Sequence, residues 1–317
     1  MAGTLVFSYV LYRSSTILTF TSIIICALTL GAILSLFFGF FIPDLGIHAG
    51  ETSIDHIGLW KGVYGFKNHL GRFMVVLTLA VFVMIFVFKR TDFKYFLILL
   101  MSMFLIYKSG SSTALLLLFI CPLIYCFLNI IVSSKINRYI QALVLLIFLS
   151  FVLIGILVLP YIVVEIFGKD MTGSGRTDIW FSLFNVSQSP LIGHGFGGVF
   201  WGEYNSAYYL LDEAWFNLGH AHNGWVDIWI ELGYIGLFLY LLITLKVVYA
   251  AYNLVFRKKY NIYAYIFLLI LFLFLYSFSG GGFVKQNNML WVLFCCSWYY
   301  VYSRERINVN DDDVSIK

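Results

Sequence analysis

Arginine, histidine and glycine gather in one hydrophilic interval of this chain, between an apolar run ending at Pro160 and another beginning near Asn223. Arg176 follows the structure-breaking triplet Gly173-Ser174-Gly175. The next residues, Thr177 to Phe184, have the pattern of an amphipathic helix with Ser174 as its N-cap. A cation in the first turn of a helix opposes the macrodipole. Its placement makes sense where a guanidinium and free backbone N–H groups converge on phosphate oxygens. The other reading of Arg176 is an ion pair with Asp178 or Glu203. Further along, His220-Ala221-His222-Asn223 opens the next apolar run, and Asn223, Asp227 and Glu231 are spaced by four, which makes one polar stripe on a helix. Acids inside an apolar helix are costly and point to function or pairing. His222, at the mouth of that stripe, has the chemistry of a general base near neutral pH, with His220, Asn223, Asp227 and Glu231 in support. A metal held by His220 and His222, or plain hydrogen bonding by both rings, are the alternatives; neither a metal nor a cofactor is expected.

Between these two clusters lies Pro190-Leu191-Ile192-Gly193-His194-Gly195-Phe196-Gly197-Gly198. The glycine spacing is reminiscent of a dinucleotide loop, yet the strand–turn–helix context that such a loop requires is missing. The segment reads as a turn or re-entrant stretch whose glycines permit close packing, with His194 in a structural role. Cys26, Cys121, Cys126, Cys295 and Cys296 all fall in apolar runs, where thiols pack as small hydrophobes, and none has metal-ligand spacing.

The elements that must position these residues are set by composition. Hydrophobic residues make up 61% of the chain and charged residues 11%, against about 25% charged in soluble domains; the mean hydropathy is +0.90. Inside a bilayer every backbone polar group needs an internal partner, so such a chain is expected to be all-α. Apolar runs near 17–42, 70–88, 94–108, 113–132, 139–160, 224–250, 261–279 and 288–302 predict a polytopic bundle of about eight transmembrane helices. Residues 1–16 are mixed, and the first apolar run is too long for the core of a signal peptide. The expected organisation is five spans within 1–160, a catalytic loop at 161–222, three spans within 223–303 and a tail at 304–317. Lys89, Arg90, Lys94, Lys135, Arg138, Arg257, Lys258, Lys259, Arg304 and Arg306 fall on the side of Arg13. The positive-inside rule then puts both termini in the cytoplasm and the long loop outside. That loop carries the acids Glu165, Asp170, Asp178, Glu203, Asp212 and Glu213 but only Lys169 and Arg176 as bases. The net charge of +4 therefore reflects topology and gives no reason to expect nucleic acid as a partner.

Taken together, Gly175-Arg176-Thr177-Asp178-Ile179-Trp180, the Pro190–Gly197 stretch, His222-Asn223-Gly224-Trp225 and Glu231-Leu232-Gly233-Tyr234-Ile235-Gly236-Leu237 resemble the O-antigen ligase and polymerase family. Lys67-Asn68-His69-Leu70-Gly71 is similar to an element of its exopolysaccharide-polymerase branch. Ser109-Gly110-Ser111-Ser112-Thr113-Ala114-Leu115 is similar to another family element, with Ser112 where a basic residue is usual and Lys108 nearby to supply charge.

The resemblance implies a metal-independent, glycosyltransferase-like enzyme of the bacterial cytoplasmic (inner) membrane. It would transfer a glycan from an undecaprenyl-diphosphate-linked donor to a hydroxyl of a lipid-linked glycan, as polymerase or ligase. By position, Arg176 would hold the donor diphosphate and His222 would activate the acceptor. Lys67 and Arg72 are expected as further diphosphate contacts. Trp201, Tyr204, Tyr208, Tyr209, Trp215 and Trp225 offer flat faces for sugar rings, although an interfacial aromatic belt explains many of the same residues. Expected partners are the lipid-linked donor and acceptor and membrane lipids, with flippase and chain-length regulator proteins as further candidates. A polysaccharide or lipid transporter and a non-catalytic partner of an assembly complex are the competing classes.

Overall fold

The computed structural model describes residues 2–50, 56–133, 136–146, 148, 150, 176–197, 200–201, 220–285 and 288–303. Among these, all regular structure is helical apart from an isolated bridge between Ile47 and Trp60. In chain order the principal helices are α1 (Ala2–Ser14), α2 (Ile17–Phe41), α3 (Lys67–Phe82), α4 (Phe93–Ser109), α5 (Ser112–Ile131), α6 (Arg176–Val186), α7 (Gly224–Tyr252), α8 (Ala264–Tyr276) and α9 (Met289–Tyr302). Each apolar run of the sequence is helical where described, and residues 138–146 carry the start of the fifth. Among the described residues four helices are long and apolar enough to cross a membrane: Ile17–Phe41, Lys67–Val87, Ser112–Ile131 and Gly224–Arg257. Asn261–Tyr276 and Met289–Tyr302 are shorter apolar helices. The chain is thus a polytopic helical bundle, with fewer full-length spans among the described residues than the eight apolar runs suggest.

One compact unit comprises 1–125, 247–276 and 289–317. Its centre is α3, in which nearly every side chain from Leu70 to Val81 is buried, as befits a helix that is apolar all round. Close approach depends on small residues: a β-carbon on Gly71 would lie 2.9 Å from those of Ser111 and Ala114. Thr78 Oγ1 donates to Ser102 Oγ across α3 and α4 at 2.8 Å. The N-terminus of α3 is capped from a distance, because the Lys67 amide donates to His48 Nε2 at 3.2 Å. One element was not expected from the mixed N-terminal sequence. α1 is a helix that packs along α9 through Tyr9, Tyr12, Tyr299 and Tyr300, and Ser15 Oγ lies 2.7 Å from the Tyr300 hydroxyl.

The other unit comprises 126–246 and 277–288. The amphipathic helix expected at Thr177–Phe184 is present as α6, Arg176–Val186; its proposed cap, Ser174, lies outside the described residues. Ile179 and Leu183, one turn apart, bury against Ala221, Val226, Trp229 and Ile230, together with Phe200. Trp180 Nε1 donates to the carbonyl of Ala221 at 2.8 Å.

α7 is broken at Gly233, where φ is 67° and ψ is −170°. A break in an apolar helix strands backbone groups that hydrocarbon does not satisfy. Here the Pro190–Gly195 turn supplies the missing partners. The His194 and Gly195 amides donate to the carbonyls of Ile230 and Glu231 at 3.0 and 2.9 Å, while the Tyr234 and Ile235 amides donate to Pro190 and Leu191 at 2.9 and 3.2 Å. The glycines are required on both sides. A β-carbon on Gly193 would strike the backbone of Glu231 and Leu232, and one on Gly233 would strike that of Leu191 and Ile192. The glycine-rich segment is a packing turn, and His194 serves it: Nδ1 lies 3.0 Å from the Ile230 carbonyl and Nε2 accepts from the Gln188 amide at 3.3 Å.

Candidate active site

The His220–Asn223 turn is held by the helix it precedes. Asn223 Oδ1 accepts from the amides of Trp225 and Val226 at 2.9 and 3.3 Å, which makes Asn223 the N-cap of α7. Asp227, one turn on and buried, reaches back: Oδ1 accepts from the Ala221 amide at 2.7 Å and Oδ2 from the Gly282 amide at 2.8 Å. Glu231, a further turn along, accepts from the Gly197 amide at 3.3 Å. The predicted stripe therefore exists, and its groups hold loop backbone in place.

Within this frame His222 adopts a φ of 55°. A left-handed conformation is uncommon for a residue with a side chain and costs on the order of 1–3 kcal/mol unless its surroundings impose it. The Asn223 cap, the Asp227 bridge and the Gly224 amide bonded to the Ser277 carbonyl at 2.8 Å do so. The His222 amide also donates to His220 Nδ1 at 3.0 Å, and the two rings stand edge to face with centroids 4.2 Å apart. The His222 ring is half-buried. Burial first, then the neighbouring His220 and the Arg176 guanidinium, push its pKa down to about 4, with Asp227 opposing. At neutral pH the ring is an uncharged proton acceptor.

Arg176 thus lies in the same electrostatic neighbourhood as His222, and its Nη1 donates to the Ser279 carbonyl at 3.0 Å. The structure brings together Arg176, His220, His222, Asn223 and Asp227, with Glu231 one turn deeper. Lys67 and Arg72 belong to the first unit, near the start of α3. Arg72 Nη1 there donates to the Tyr276 hydroxyl at 3.2 Å, and its guanidinium lies 5.0 Å from the centroid of the Phe73 ring. Trp225 is a correction: it is buried against Tyr240 and Phe278, and does not offer a face to a ligand. Tyr204, Tyr208, Tyr209 and Trp215 lie outside the described residues. Among the described residues no group of three or more His, Cys, Asp and Glu side chains is arranged to hold a metal.

Sequence reasoning missed the Ser277–Lys285 segment, which touches Gly224, Arg176, His220 and Asp227. Its signal was the run Gly280-Gly281-Gly282 ahead of Lys285, between two apolar helices.

Fold and site define a polytopic helical membrane protein with a histidine–arginine centre at the mouth of a broken helix. The O-antigen ligase family model matches residues 96–241. The matched stretch spans from α4 into α7, includes Arg176 and His222, and supports membership of that family. No curated protein matches the chain. The matched domain supports a membrane ligase- or polymerase-type role in polysaccharide assembly.

Proposed function

We propose that the protein transfers a glycan from an undecaprenyl-diphosphate-linked donor to an acceptor hydroxyl, with Arg176 on the diphosphate and His222 as proton acceptor. The observation that carries this reading is that one short segment links the two residues: Arg176 donates to the Ser279 carbonyl, and Gly281 lies against the His220 ring, whose Nδ1 accepts from the His222 amide. In the reaction the acceptor oxygen attacks the anomeric carbon and its proton passes to His222. The bond from that carbon to the phosphate oxygen breaks, and the electron pair leaves with the lipid diphosphate. Arg176 stabilises the charge gathering there, and a planar guanidinium can do so through two parallel hydrogen bonds. A single displacement inverts the anomeric centre.

The low pKa of His222 fits this sequence. A base of pKa about 4 accepts a proton weakly while Arg176 is unneutralised. Once phosphate sits on Arg176, the positive field at His222 falls and the ring becomes more basic. Donor binding would therefore prepare the base. The family resemblance implies a location in the bacterial cytoplasmic membrane, and the distribution of Lys and Arg supports 161–222 on the outer face.

The test is turnover of a lipid-linked oligosaccharide by the purified protein. His222→Ala should abolish transfer while donor binding survives, since donor affinity resides in phosphates and lipid. His220→Ala should be milder. Near-normal turnover by folded His222→Ala protein would sink the proposal, and silencing by chelator alone would favour a metal at the two histidines.

A further inference from the structure

The segment between α8 and α9 lies outside the matched domain of residues 96–241, yet it is fastened to the candidate site at four points. The Ser277 carbonyl accepts from the Gly224 amide at 2.8 Å, and the Ser279 carbonyl accepts from Arg176 at 3.0 Å. Gly281 lies against the imidazole of His220, where an added β-carbon would sit 3.1 Å from Cγ and Nδ1. The Gly282 amide donates to Asp227 Oδ2 at 2.8 Å. Phe283 then anchors the segment, fully buried, with its ring centroid 6.1 Å from that of Tyr240. Two residues later comes Lys285, close enough for its charge to act on the Asp227 carboxylate. Both oxygens of that carboxylate already accept from backbone amides. Among the described residues the Lys285 ammonium forms no ion pair.

A lysine delivered by a glycine-rich turn into this neighbourhood is a poor structural partner for Asp227 and a good one for an incoming anion. A glycosyl lipid diphosphate is a diester with one negative charge on each phosphate, and Arg176 supplies one positive charge. Resting on the donor reading given above, we propose that Lys285 is a further diphosphate-binding cation, the partner of Arg176 within this unit, so that Arg176 and Lys285 each face one phosphate. The two differ in kind: Arg176 contributes a flat fork, whereas Lys285 contributes a compact charge on a flexible stem able to follow a leaving group. The domain match would then describe an incomplete donor site, finished by residues 277–285.

The experiment measures binding of undecaprenyl diphosphate and undecaprenyl monophosphate to the full chain in nanodiscs, for wild type, Lys285→Gln, Lys285→Arg and Arg176→Gln. Lys285→Gln should bind the diphosphate about ten- to hundredfold more weakly, the usual effect of losing one charge-assisted hydrogen bond, with little change for the monophosphate. Lys285→Arg should retain most of the affinity. A folding defect is excluded by Lys285→Cys protein in which the exposed Cys26 and Cys126 are serine: alkylating the folded protein with 2-bromoethylamine rebuilds an amine and should restore diphosphate binding. Equal affinity before and after alkylation overturns the proposal, as does wild-type binding by Lys285→Gln alongside a loss in Arg176→Gln; both leave the Arg176 reading standing. If wild type and Arg176→Gln alike fail to prefer the diphosphate, the donor reading falls and takes Lys285 with it.

Discussion

The pH dependence of transfer tests the His222 environment directly. In the free protein its pKa lies at about 4, lowered by burial first and then by His220 and Arg176, from an ordinary value of about 6.5. The profile of kcat/KM reports the free enzyme, so its acid limb should fall near pH 4 and not near the usual histidine value. The profile of kcat reports the complex. With diphosphate neutralising Arg176, its limb should lie at higher pH than that of kcat/KM. Arg176→Gln removes the cation and should raise the kcat/KM limb as well, narrowing the gap. The sign for stability follows from the same shift. The unfolded chain takes up a proton on this histidine near pH 6.5 while the folded chain resists until about pH 4, so stability is intact above 6.5 and declines as pH falls through that window. Each pH unit is worth about 1.36 kcal/mol. Because the ring is only half-buried, solvent screening reduces the loss to about 1–2 kcal/mol. Initial rates over a range of donor concentrations, from about pH 3.5 to about pH 8, give both limbs, and denaturation at each pH gives the stability. A kcat/KM limb near 6.5 that stays put in Arg176→Gln would refute the reasoning.

Three further outcomes are expected. Arg176→Lys and Arg176→Ala should both transfer glycan poorly, because an ammonium lacks the bidentate fork; wild-type turnover by the lysine variant would reduce the role to generic charge. Gly233→Ala should lower stability by about 2 kcal/mol or more, since only glycine occupies that backbone region easily and the added carbon meets the backbone of Leu191; an unchanged denaturation midpoint counts against the interlocked turn. In intact cells, cysteine at the exposed position Gln188 should react with a membrane-impermeant thiol reagent while cysteine at the exposed position Thr91 does not, and the reverse pattern inverts the assigned orientation.

Much of the site was readable along the chain where its logic is local. Arg176 in a first turn and the four-residue spacing of Asn223, Asp227 and Glu231 depend only on helix geometry, and both are observed. What escaped depends on pairings far apart in sequence. Asp227 reads as a costly acid that needs a function or a partner, and one of its partners is the amide of Gly282, fifty-five positions away. Gly233 stands in the family-like Glu231–Leu237 run, but nothing local announces that another segment will supply its missing hydrogen bonds. α1 escaped for a related reason: a short mixed helix is marginal alone, and the tyrosines that stabilise it are met on α9, near the far end of the chain.

The interlock at Gly193 and Gly233 also bears on genetics. A defect at either glycine collides with main-chain atoms, which every possible residue at the opposing positions would still possess. A second-site suppressor that trims a neighbouring side chain is therefore unavailable; rescue would need a change of chain length in one of the two strands of the interlock. The same holds for hybrids assembled from relatives, in which the 190–195 turn and the helix break must be inherited as a matched pair, while the exposed side chains of Leu191 and Ile192 remain open to exchange.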